Sequence, residues 1–348
     1  MTNQEIIQAI RDLSNGKPIS TDITSVLRKH RCDNLLNKQQ KESHDPSNRP
    51  THVLNTLVLK ERFEACKPLF EQNEISYAVI KGAVLSQALY KNPHIRFSGD
   101  IDILIHRRDA DSIKQLLHAN GFIQGRVTET GIIPFTRKEL LFQATMTHQT
   151  APYIKETGNK LYPYVNLDVN MEILWGESEE KADMDYVLSN IETSNLFNIS
   201  FQKLSSEMEF VSLCLHHYKD LNSIYLLTQG SFRLGLFCEI YDYLRNVRLD
   251  TAKLFKIATH LKIAQYLYVC IYQTKLIFED PLLDNYIDLF QLYRNDILIE
   301  SFGLNEKERK SWNIPLFERL FHNNLPEYIL QQLTDGEKEK IKTNQNMM

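Results

Sequence analysis

Apolar residues recur at helical spacing from the start of the chain: Ile6, Ile7, Ile10 and Leu13, then Ile23, Val26 and Leu27, with a break at Asn15-Gly16-Lys17-Pro18. Such spacing puts them on one face of a helix. A polar stretch over 38–51, holding Pro46 and Pro50, predicts a connector. The stripe Leu54, Leu57, Leu59, Phe63, Cys66, Leu69 and Phe70 predicts a long helix over 53–72, kinked or split at Pro68. A short β-like run over 75–80 ends at Lys81-Gly82, and 83–90 is a short helix by composition, closed by Asn92-Pro93. Next come an apolar strand carrying Asp-Ile-Asp, a helix over 109–119 and a stop at Asn120-Gly121. Residues 122–149 contain β-like pieces, and 164–173 alternate as a strand. From Met184 the period turns helical and stays so, with the clearest segments at 210–218, 232–245, 251–261, 263–278 and 283–293. The polar end of the chain is expected to fray. The predicted organisation is a helical segment 1–51, an α+β domain 52–180 with a small mixed sheet, a mostly helical domain 181–334 and a polar tail 335–348.

Composition narrows the function classes. Lys+Arg 40 against Asp+Glu 44 leaves a net charge of −4, so no overall basic field argues for sequence-independent nucleic-acid binding. Cys32, Cys66, Cys214, Cys238 and Cys270 are widely spaced and contain no Cys-x-x-Cys pair, which argues against a disulfide framework or a zinc site. They read as buried thiols in a reducing compartment. The first residues lack a basic-then-apolar leader pattern, and no apolar run reaches the roughly 18 residues that would span a bilayer. The expectation is a cytoplasmic protein without a membrane partner.

The most informative residues are Asp100 and Asp102, in RFSGDIDILIH over 96–106. Side chains two apart on a strand leave the same face. Both carboxylates therefore aim at one point while Ile101, Ile103 and Ile105 pack behind them. Paired anions repel unless a cation sits between them, and hard oxygen ligands favour Mg²⁺. Gly99 removes a side chain where a phosphate or metal approaches. Taken alone, an Asp-x-Asp pair serves equally well as a loop cap. Two-metal phosphoryl transfer calls for a third carboxylate. Asp168 is the candidate, with Asn170 and the reserve Glu172 on the same strand face. An exposed-face position is the plain alternative for Asp168. Lys81-Gly82 stands where a strand gives way to a helix, a place suited to phosphates. Arg96 can pair with phosphate or with Asp100 itself. His216 and His217 are adjacent, hence on different helix faces, which suits packed histidines better than shared metal ligation. No nucleophile-elbow motif is present.

The order of strand, Lys-Gly helix, Asp-x-Asp strand and third-carboxylate strand resembles the nucleotidyltransferase superfamily of the DNA polymerase β type. More closely, AVIKGAVLSQALYKNPHIRFSGDIDILI over 78–105 is similar to the bacterial "uncharacterised nucleotidyltransferase" family, with its Leu-Lys-Gly strand end, Arg and Asp-x-Asp-Leu-Leu-Val. The likeness extends through VLRKHRCDNLL (26–36), LDVNMEIL (167–174), LCLHHYKD (213–220) and RLGLFCEIYDYL (233–244), covering most of residues 20–250. The resemblance implies a polymerase β-like fold and transfer of a nucleoside monophosphate from an NTP to an acceptor, dependent on Mg²⁺ or Mn²⁺, with release of pyrophosphate. It assigns Asp100, Asp102 and Asp168 as metal-binding catalytic carboxylates, and Lys81, Gly82 and Arg96 to the nucleotide; the residue reading adds Gly99 to the nucleotide-binding set. The acceptor stays open among a small molecule, a sugar, a protein hydroxyl and an RNA end. Two departures stand out. The superfamily's Gly-Ser is Lys81-Gly82 here, and Asn170 stands where relatives often carry His; an amide is no general base. The rival readings are a nucleotide-sensing module without turnover on the same scaffold, and an Asp-x-Asp glycosyltransferase.

Overall fold

The computed structural model describes residues 2–17, 19–42, 49–72, 74–96, 98–146, 148–176, 178 and 180–347. The part of the predicted connector at 43–48 lies outside the described residues. The chain forms two compact units, one made of Met1–Glu42 with Phe210–Met348 and the other of Ser43–Glu209.

The first unit opens with α1 (Asn3–Ser14), α2 (Thr24–Lys29) and α3 (Asp33–Glu42). Thr2 and Glu5 cap α1 reciprocally: each side chain accepts the backbone N–H of the other residue. The predicted apolar stripe is buried except for the half-buried Val26, with Ile10 and Leu27 fully so.

The second unit runs through α4 (Arg49–Glu71), β1 (Tyr77–Ile80), α5 (Gly82–Tyr90), β2 (Ile101–Ile105), α6 (Ala110–Ala119), β3 (Ile123–Thr128), β4 (Gly131–Pro134), α7 (Arg137–Met146), β5 (Tyr153–Glu156), β6 (Tyr164–Asn170), α8 (Met184–Ser189), β7 (Ile191–Leu196) and β8 (Ile199–Leu204). The strands form one mixed sheet in the order β4-β3-β5-β6-β2-β1-β8-β7. At its centre, β2 is antiparallel to β1 and parallel to β6, while β1 is parallel to β8. Alternation divides the central strands between two faces. Tyr77, Val79, Ile101, Ile103, Ile105, Val165, Leu167 and Val169 join Phe63, Leu69 and Phe70 of α4 and Ile113 and Leu117 of α6 in one core. Each aliphatic side chain buried there contributes about 1.5–3 kcal/mol. The other face at the same place carries Asp102, Asp168 and Asn170.

The fold is α+β, with a sheet larger than the small one expected. Several local expectations change. Helix α4 passes through Pro68 without ending. The β-like reading of 122–149 holds for β3 and β4 but gives way to helix α7. The helical reading from Met184 onward misses the β7–β8 hairpin, which extends the sheet beyond residue 180.

The first unit resumes at Phe210, within α9 (Ser206–Asn222), and continues through the short α10 (Ile224–Leu227), α11 (Leu234–Asn246), α12 (Thr251–His260), α13 (Ala264–Phe278) and α14 (Asp284–Phe290). Helix α13 packs against α11, α12 and α14. Smaller elements follow, and the polar end of the chain forms a helix over Asp335–Met347 where fraying was expected. The described residues contain no helix long and apolar enough to cross a membrane.

Candidate active site

The register of β2 and β6 builds the site. Their parallel pairing sets Asp102 opposite Asp168 and Leu104 opposite Asn170, while antiparallel pairing with β1 sets Ile80 opposite Asp102. Asp102 and Asp168, separated by 66 positions in sequence, are thus neighbours on one sheet face. Asp102 Oδ1 receives two donors, the Lys81 ammonium at 3.0 Å and the Asn170 amide at 3.2 Å. Asn170 also donates to the Ile103 carbonyl at 3.2 Å and is almost wholly buried. It therefore orients Asp102.

Asp100 precedes β2 and is held differently. The Ser98 hydroxyl lies 2.7 Å from Asp100 Oδ1 and 3.1 Å from the Asp100 carbonyl. Arg62 of α4 donates to the Ser98 carbonyl. Burial lowers the Arg62 pKa, and the Asp100 charge opposes that fall. Arg62 and Ser98 escaped the sequence reading. A charge beside Phe63 in a long helix looks like any solvated residue, and Ser98 carries no motif of its own.

Lys81 has φ 56° and ψ −147°, and Gly82 starts α5 at φ 41°. A Cβ on Gly82 would lie 3.3 Å from Ser98 Oγ, so glycine suits both the backbone and the space. Gly99 borders open space, with nothing within 4 Å of an added Cβ. The Arg96 backbone N–H donates to Ser86 Oγ at 2.9 Å, and that hydroxyl donates to the Asn92 carbonyl at 2.7 Å, tying the loop before β2 to α5.

Electrostatics concentrate on Asp168. Burial, then the Asp102 and Asp100 carboxylates, push its pKa up to about 7, against the opposing pull of Lys81. Glu172 lies beyond the end of β6, where its Oε1 accepts backbone N–H groups from Ile173 at 2.9 Å and from Leu174 and Ala182 at 3.4 Å. It is buried as the anchor of that loop. His217 belongs to the helical unit, where its Nε2 lies 3.1 Å from Glu239 Oε2, and Asn34 donates to Glu239 Oε1 at 3.0 Å. His216 Nε2 lies 3.7 Å from Asp220, one helical turn on. All five cysteines are buried free thiols.

Residues 10–279 match the family model described as "Uncharacterised nucleotidyltransferase". The chain belongs to this family. It is thereby a member of the polymerase β-type nucleotidyltransferase superfamily, in keeping with its mixed sheet and flanking helices. No curated protein and no solved structure matches the chain.

The donor set of this nucleotidyltransferase family member fits a hard divalent cation. Asp102 and Asp168 are carboxylates on neighbouring strands, and burial first, then the negative charge of Asp102 and Asp100, raises the Asp168 pKa. Among the described residues, no three His, Cys, Asp or Glu side chains form a group able to hold a metal ion on their own. Mg²⁺ commonly takes one or two protein carboxylates and completes its shell with substrate phosphates and water.

Proposed function

We propose that the Ser43–Glu209 unit transfers a nucleoside monophosphate from an NTP to an acceptor hydroxyl and releases pyrophosphate. The observation that supports this most is the β2–β6 register, which sets the Asp102 and Asp168 carboxylates side by side with the Lys81 ammonium at the first. Asp100, Asp102 and Asp168 are the residues that would hold Mg²⁺, or Mn²⁺ in its place. When bound, such an ion offsets the charge of the triphosphate and stabilises the charge that develops in the transition state.

The chain's own groups then divide the work. Ser98 and Asn170 fix the rotamers of Asp100 and Asp102. Asp168 orients the acceptor hydroxyl for in-line attack on the α-phosphorus and receives its proton. The bond from the α-phosphorus to the bridging oxygen breaks, and pyrophosphate leaves against Lys81 and Arg96. The opening of α5 at Gly82 adds backbone N–H groups beside the outer phosphates.

Purified protein, Mg²⁺ and cell extract incubated with each NTP labelled at the α- or the γ-phosphate test the reaction type. Nucleotidyl transfer carries the α-label to the acceptor and the γ-label into pyrophosphate. A γ-label on the acceptor would mean phosphoryl transfer instead. One observation favours a nucleotide-sensing module without turnover: Lys81 and Asn170 already satisfy an oxygen of Asp102. That reading predicts NTP binding with neither label transferred.

A further inference from the structure

Lys81 and Asp102 make an ion pair in which both side chains are largely shielded, with 20% and 11% of their surfaces exposed. Surface pairs are screened by water and contribute little; this one is held at 3.0 Å, with Asn170 donating to the same carboxylate oxygen. The backbone adds a second observation. At φ 56° and ψ −147°, Lys81 stands near a region that glycine alone adopts freely, a strained backbone for any other residue. A glycine there would relieve the strain, yet a residue with a long cationic side chain occupies the position. Thirdly, the described residues offer no three-ligand set that would hold an ion by itself.

A free divalent ion approaching Asp102 therefore meets an ammonium already held on Oδ1 of that carboxylate, and like charges repel. An ion carried by a nucleoside triphosphate meets a different balance. The phosphates supply the missing oxygen ligands, and the outer phosphates give the ammonium a new anionic partner.

Resting on the nucleotidyltransferase reading above, we infer that Lys81 is the resident counter-cation of the unliganded site. The divalent ion then enters as the ion–NTP complex and not ahead of the nucleotide. On entry, Asp102 Oδ1 exchanges the ammonium for the ion, and Lys81 moves onto the outer phosphates. The role of Lys81 is one of selection: its ammonium disfavours a free ion at Asp102 and gives way when the phosphates of a nucleotide offer it a new partner.

The test is Mn²⁺ binding, read from the loss of the free-ion paramagnetic resonance signal. It compares wild type, Lys81→Met and Lys81→Arg, each alone and with α,β-methylene analogues of the four NTPs. Wild type and Lys81→Arg should bind free Mn²⁺ about tenfold or more weakly than Lys81→Met. An analogue should strengthen binding in both forms by completing the ligand set, and by at least about tenfold more in wild type than in Lys81→Met. Lys81→Gly removes the same charge and relieves the backbone, so it carries the comparison if thermal melts show Lys81→Met unfolded. Equal free-ion affinity in wild type and the uncharged variants, with pyrophosphate release intact, overturns the role of Lys81 alone. Absence of Mn²⁺ binding in every form, with no pyrophosphate release, overturns this inference together with the reaction proposed above.

Discussion

Asp168 links the chemistry of the site to the stability of the fold. Its pKa is pushed up to about 7 by burial first and by Asp102 and Asp100 next, from an ordinary value of 3.8. The folded protein thus holds this proton more tightly than the unfolded chain does. The stabilisation is full below about pH 4, falls as pH rises through the window, and is lost above about pH 7. Asp168→Asn removes the ionisation. At pH 8 the variant should therefore be more stable than wild type by on the order of a few kcal/mol, with a higher melting temperature, and the gap should narrow toward pH 5. Thermal melts across pH 5–8 check this; parallel curves for the two proteins would refute it. Glu172 offers the contrast. It is buried as an acceptor of three backbone N–H groups. Glu172→Ala should cost about 1–3 kcal/mol of stability in urea unfolding, with transfer preserved below the transition. Asp168→Ala should abolish transfer. The opposite pair of results would move the third carboxylate four residues along the chain.

Between elements, the junction of β1 and α5 controls the site. Gly82 combines a positive φ with a Cβ position 3.3 Å from Ser98 Oγ, the hydroxyl that holds Asp100. Gly82→Ala should lower stability by about 1–3 kcal/mol and depress transfer beyond the loss of folded protein. Ser98→Ala, which removes no backbone constraint, should depress transfer with a smaller stability change. Initial rates at matched folded fractions separate the two effects. The β2 strand and the helices on either side of it were legible from sequence because apolar spacing and Gly or Pro stops mark them sharply. So were Lys81, Asp100 and Asp102, which fall at their boundaries. The β7–β8 hairpin was not. Its strands are half exposed, which blurs alternation, and its turn is Phe197-Asn198, both at positive φ, in place of the usual Asn-Gly. Phe197 tolerates this beside Phe63, whose ring centre lies 6.1 Å away. Nor does local pattern reveal that β6 lies beside β2, because pairing between distant strands leaves no mark in either segment. Asp168 could be named from sequence; its position opposite Asp102 could not.

Across the whole molecule, the two ends of the chain share one unit. Arg11 Nε donates to the Ile277 carbonyl at 2.7 Å, Arg245 to the Ser14 carbonyl at 2.6 Å, and the Gly235 N–H to the His30 carbonyl at 2.9 Å. Leu27 and Ile10 are fully buried in that unit. A protein lacking residues 1–42 should therefore lose cooperative unfolding of its helical unit, and a peptide of residues 1–42 added in trans should restore it in part. Circular dichroism during urea unfolding checks this, and an unchanged transition would contradict the shared unit. The proposed divalent-ion-dependent nucleotidyl transfer at Asp100, Asp102 and Asp168 is tested by pyrophosphate release from each of the four NTPs, with cell extract as the source of acceptor and Mg²⁺ present or chelated, for wild type and Asp102→Asn. Wild type should release pyrophosphate from at least one NTP, and release should be lost on chelation and absent in Asp102→Asn although that variant remains folded. Release that survives in Asp102→Asn, or that ignores the chelator, would contradict it.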